Sequence, residues 1–123
     1  MSVQHAVVLI DHQHAQLLQF DSGPVQVRKF QAHHHNTRQH GSNVRTEHEF
    51  FGEVCDALQN FNEILVAGAH KAQADFRHYV EKHRAHLSPK IVGWETVDHP
   101  SEGQLAALAR KFFVKHDRMA GIP

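Results

Sequence analysis

The chain has one cysteine, one tryptophan, one tyrosine, two methionines and four prolines in 123 residues, and its lysines and arginines balance its aspartates and glutamates at 13 each. Each shortage excludes something. A lone Cys55 cannot close an internal disulfide or supply a zinc ribbon, and its place within an apolar helical pattern suits a small packed thiol in a reducing compartment. A formal charge of zero gives no global basic field, so any nucleic-acid contact has to come from a local patch. The longest apolar run near the start, AVVLI, is too short for a signal-peptide core or a membrane span and has no basic segment before it, so a cytoplasmic protein with no membrane partner is expected.

What the chain does have is histidine, 14 in all, and four of them fall in the stretch FQAHHHNTRQHGSN at 30–43. The rest reads as one ordinary domain over 1–123, with 41% apolar and 21% charged residues. HAVVLID is apolar on both faces, as in a strand buried within a sheet. AQLLQF and VQVRKF follow, with Asp21, Gly23 and Pro24 supplying turn chemistry between them, and the three make an antiparallel meander. A polar, histidine-rich loop over 31–45 then leads to a helix opened by a capping box of Thr46 and Glu49, with Phe50, Val54, Leu58 and Phe61 as its apolar stripe.

EILVAG reads as a buried fourth strand, and a second helix is expected from Ala72 to Leu87 with Phe76, Tyr79, Val80 and His83 on its packed face. PKIVGWETVD is the fifth strand, Ser101 with Gln104 a second capping box, and LAALARKFF the last helix. The order β-β-β-α-β-α-β-α requires helical crossovers between parallel strands, giving a single-domain α/β protein with a mixed five-stranded sheet covered by helices.

That order is ribonuclease H-like. More narrowly, AVVLIDHQHAQLLQF, HHHNTRQHGSNVRTEHEFF and NEILVAGAHKAQADFRHYV resemble the middle domain of the eukaryotic and archaeal class I peptide chain release factors and of Pelota, over about Val3 to Phe113. Bacterial stand-alone proteins of this pattern form a family described as translational machinery proteins. The resemblance implies a translation-associated module with the ribosome or RNA as partner. In the release factors the excursion after the third strand carries a Gly-Gly-Gln tip that promotes peptidyl-tRNA hydrolysis. This chain has RQHGSN there, with Gln39 ahead of a lone Gly41, so the resemblance does not imply release activity.

Three chemistries compete for these residues. For RNA, Arg38 and Arg45 in the loop and Arg28 and Lys29 at its base are phosphate-contact candidates, with Gln39 beside them. For metal, alternate residues of an extended segment share a side, so His33 and His35 can share an ion that His40 or His48 closes; the plainer reading is a solvated loop that takes up zinc or nickel opportunistically, with no native cofactor. For a metal-dependent hydrolase or nuclease, Asp11 ends the first strand and Asp98 the fifth, but the fourth strand offers no carboxylate and Asp11 serves equally as a turn-former. Gly68, before His70 and Lys71, reads as a turn at the carboxyl end of the sheet that needs a positive φ. The expected function is therefore non-enzymatic and RNA- or ribosome-directed, with metal binding or metal-dependent hydrolysis as the alternative.

Overall fold

A computed structural model describes residues 4–20, 24–32 and 42–119. Strands β1 (His5–Ile10), β2 (His14–Phe20) and β3 (Gln26–Gln31) precede helix α1 (Ser42–Leu58). Strand β4 (Glu63–Gly68), helix α2 (His70–His83), a 3-10 turn over Ala85–Lys90, strand β5 (Ile91–Thr96) and helix α3 (Glu102–Met119) complete the order. The sheet runs β3-β2-β1-β4-β5, with β2 antiparallel to both β1 and β3, and β4 parallel to both β1 and β5. This is the mixed five-stranded α/β arrangement covered by helices that the element order requires.

Side-chain alternation along the strands divides the core into two layers. Ala6, Val8, Ile10, Leu17, Ile64 and Val66 face α1 and α2, where Phe50, Phe51, Val54, Leu58, Phe76 and Val80 meet them. Val7, Leu18, Leu65 and Ala67 face the other way, onto Leu105, Ala109 and Phe113 of α3. Strand β4 is buried along its whole length, which explains why its sequence is apolar without alternation. Cys55 is buried in the first layer, and burial pushes its thiol up to about 12.

Two helix boundaries on this layer and one cap differ from expectation. Helix α1 begins at Ser42, so residues 42–45, expected in the loop, are helical. Thr46 is not a cap: it is buried within the helix one turn ahead of Phe50 and extends the packed stripe. Helix α2 ends at His83 rather than Leu87 because Arg84 leaves the helical region at φ −137° and the chain tightens into the 3-10 turn around Pro89. His83 is correspondingly exposed, although its ring lies 4.9 Å from that of Tyr79. The second capping box is present as read: the Ser101 amide donates to Gln104 Oε1 at 2.9 Å and the Gln104 amide to Ser101 Oγ at 3.1 Å.

Phe76 is fully buried, with its ring edge-on to Phe51 at 5.2 Å, whereas His86 is exposed. Phe76→Ala should therefore lower unfolding free energy by roughly 3–5 kcal/mol through the cavity it leaves, and His86→Ala by less than about 0.5 kcal/mol. Urea unfolding of the two variants, giving similar midpoints, would contradict this helical phase.

Candidate functional site

The carboxyl ends of β1 and β4 lie side by side, and their last paired residues are Ile10 and Gly68. Gly68 has φ 153°, and a Cβ there would run into the Ile10 carbonyl oxygen, so glycine is required by both conformation and contact. The expectation of a positive-φ turn is met.

Gln73, one turn into α2 and buried, fixes the end of the sheet. Its Nε2 donates to the Gly68 carbonyl at 2.7 Å and the Glu95 carbonyl at 2.8 Å, with Thr96 Oγ1 farther off at 3.3 Å. The Val97 amide also donates to the Gly68 carbonyl, at 3.0 Å. One amide side chain thus ties the ends of β4 and β5 together. Sequence reasoning missed Gln73; the available signal was a glutamine on the apolar stripe of α2, three residues before Phe76.

Around this edge lies an open cleft of about 400 Å³. Leu9, Ile10, Ala15 and Phe30 form its apolar floor, and Asp11, His14, Lys29, Asp98 and His99 bring polar groups. The Asp11 side chain is 67% exposed, and its Oδ1 accepts the His12 amide at 2.6 Å, the turn-forming role foreseen for it. Asp98 does not end the fifth strand, which stops at Thr96; it stands 98% exposed, 3.7 Å from His99. Neither aspartate belongs to a group of three metal-ligating side chains within 4.8 Å of one another among the described residues. Among the described residues the cleft therefore lacks the gathered carboxylates that two-metal hydrolysis needs.

The two basic candidates at the base of the loop are split by the strand pleat. Lys29 pairs with Gln16, which pairs with Leu9, so Lys29 enters the cleft. Arg28 is on the opposite face, its guanidinium 5.2 Å from the centre of the Phe30 ring, in a shallow groove with Glu53 and Asp56. Arg38, Gln39, His33, His35 and His40 lie outside the described residues, as does the side chain of Arg45.

His48 is on α1 and faces α2, with its ring 5.4 Å from Tyr79 and 5.7 Å from His83. Burial raises the Tyr79 hydroxyl above its ordinary value, against the lowering influence of Arg84. His12 Nε2 lies 2.8 Å from Asp75 Oδ2, with Glu47 close enough for the three to share an ion. A second trio, His5, Glu63 and Asp117, gathers at the opposite end of the sheet. Neither trio was foreseen, because each joins residues at least 28 positions apart in the chain.

The sequence matches no known family model and no curated protein. Among solved structures, Pelota of Archaeoglobus fulgidus is similar with a TM-score of 0.63 and 19% identity, over 96% of this chain and 35% of its own. Pelota of Thermoplasma acidophilum gives 0.57 and 19%, over 83% of this chain and 30% of its own. The archaeal translation termination factor aRF1 gives 0.60 and 13%, over 96% and 41%. At such identities the likeness is one of fold, and the chain spans 30% to 41% of the length of these proteins.

Replacing Gln73 by leucine keeps the volume but removes both donors, leaving the Glu95 carbonyl without the side-chain partner it has here. A loss of about 1–3 kcal/mol in unfolding free energy is expected, together with faster amide exchange at Val97. Unchanged stability and exchange would mean that Gln73 does not hold this edge.

Proposed function

We propose that the chain is a non-enzymatic, translation-associated module that contacts the ribosome or RNA through the segment between β3 and α1, working in the cytoplasm as a relative of the release-factor and Pelota middle domain. The observation that carries this reading is that 96% of the chain follows the fold of one part of Pelota and of the archaeal termination factor. Arg38 and Gln39 in that segment and Arg45 in the first turn of α1, with Lys29 in the cleft, are the phosphate-contact candidates. Arg28 ranks below them because it shares its groove with Glu53 and Asp56.

Catalysis of peptide release is not part of the proposal, since RQHGSN stands where the resemblance would put the Gly-Gly-Gln tip. The reading of a nuclease at Asp11 and Asp98 loses ground to the exposure of those two carboxylates and to their belonging to no three-ligand group among the described residues.

Co-sedimentation with ribosomes across a salt series tests the proposal. Binding should weaken as salt rises, and Arg38→Ala with Arg45→Ala should lower both the affinity and the salt slope, the slope by about two if each arginine neutralises one phosphate. His33→Ala with His35→Ala should have little effect at pH 7.5, where most imidazoles are neutral. Failure of the wild-type chain to bind ribosomes or RNA at low salt would defeat the proposal. In a parallel assay, stalled ribosomes carrying labelled peptidyl-tRNA should release no peptide above background; release abolished by Gln39→Ala would make the chain an enzyme after all.

A further inference from the structure

At the amino-terminal end of the sheet three ligand-bearing side chains from distant parts of the chain converge. His5 opens β1, Glu63 opens β4, and the parallel register sets them side by side. Asp117 reaches them from the last turns of α3. His5 Nε2 is 3.0 Å from Glu63 Oε2 and 3.3 Å from Asp117 Oδ2. The Phe113 ring closes the site on one side, 4.3 Å from the His5 ring. The Glu63 and Asp117 side chains are 12% and 24% exposed, so much of their ordinary hydration has been removed.

Hydrogen bonding leaves this cluster incompletely satisfied, even with the Glu63 and Asp117 carboxyls close enough to share a proton. A single Nε2–H can donate well to one carboxylate, yet two lie within reach. Asp117 Oδ1 is buried and has no hydrogen-bond partner among the described residues. Burial first, and then the neighbouring Asp117 carboxyl, raise Glu63 above its ordinary value, with His5 and His116 acting in the opposite sense. Two ionised carboxylates at such close quarters need either a shared proton or a counter-charge between them.

We propose that His5, Glu63 and Asp117 form a binding site for one divalent transition-metal cation. One ligand atom from each of the three residues lies within 4.8 Å of the other two, a spacing compatible with bonds of about 2.0–2.2 Å to a shared ion. One imidazole nitrogen with two carboxylate oxygens suits a cation of intermediate hardness, and manganese(II) is the probe that discriminates best here. Its weak preference for imidazole keeps it off purely histidine sites, which take zinc, nickel or copper more strongly. The ion would join the starts of β1 and β4 to the end of α3. This proposal is independent of RNA contact.

The other trio, His12, Glu47 and Asp75, is the internal control. Its Asp75 side chain is 42% exposed, against 24% for Asp117, so water competes more freely for its ligands.

The test is a manganese(II) titration of the full, tag-free chain at pH 7.5, followed by calorimetry and by electron paramagnetic resonance of the free ion. One ion per chain is expected, with affinity lowered at least tenfold by Glu63→Gln and by Asp117→Asn and unchanged by Asp75→Asn. Circular dichroism of the variants reports whether they fold. In the wild-type chain, nuclear relaxation by bound manganese should broaden the His5 and Phe113 ring protons first, a readout that needs no variant. No binding up to millimolar manganese would overturn the site. So would binding that survives both carboxamide variants, binding lost in Asp75→Asn, or broadening centred on the His12 ring.

Discussion

The parallel pairing of β1 with β4 is the constraint on which the rest of the structure depends. Both strands lie inside the sheet with helices on either side, and β4 is buried at every position. The register runs from His5 opposite Glu63 to Ile10 opposite Gly68. At the carboxyl end it brings the Ile10 carbonyl so close to Gly68 that no side chain fits there, and the chain turns out of β4 beside the cleft. At the other end the same register sets an imidazole beside a carboxylate, to which α3 adds another. A one-residue slip would turn every apolar residue of β4 to the wrong layer, so the hydrophobic pattern that folds the sheet also aligns both ends.

The charges are arranged to make any attraction for phosphate local. The cleft holds Lys29 and two histidines but also Asp11 and Asp98, and the groove under Arg28 holds Glu53 and Asp56. The pleat of β3 sends Arg28 and Lys29 to opposite faces, so two neighbouring cations in the sequence do not add into one patch. Together with a formal charge of zero, this leaves a polyanion to be met by local runs of the sequence without an interleaved carboxylate, of which Ala32 to Thr46, with Arg38 and Arg45, is one and Gly103 to His116, with Arg110, Lys111 and Lys115, is another.

Much of the fold was legible because its signals are short-range. Five strands, three helices and their order follow from runs such as AVVLI and EILVAG and from stripes such as Phe50, Val54 and Leu58. The Ser101 box was readable for the same reason, since both partners lie within one turn. Thr46 misled because Thr-x-x-Glu has the same spacing inside a helix as at its start, and burial decided between the two. The site was less legible. Gly68 and Asp11 could be assigned from their neighbours in sequence, but Gln73 acts on carbonyls at Gly68 and Glu95, and His5 on carboxylates 58 and 112 residues away. Side-chain chemistry that depends on the sheet register has no local signature.

The distribution of carboxylates over the sheet separates what its two ends can do. Between Ala6 and Ile10, and between Ile64 and Ala67, every residue is aliphatic, so the acidic groups of these central strands are confined to Asp11 beyond one end and Glu63 at the other. Six-residue strands put those ends roughly 17–20 Å apart, farther than any pair of ions could act on one phosphate, for which about 3.5–4 Å between metals is required. A cation held by His5, Glu63 and Asp117 would therefore bear on the anchoring of α3 to the sheet, not on chemistry in the cleft. The cleft, in turn, offers a partner shape, one lysine and the root of the histidine-rich segment. The proposed cation site at one end and the cleft at the other are thus kept apart by an aliphatic strand interior.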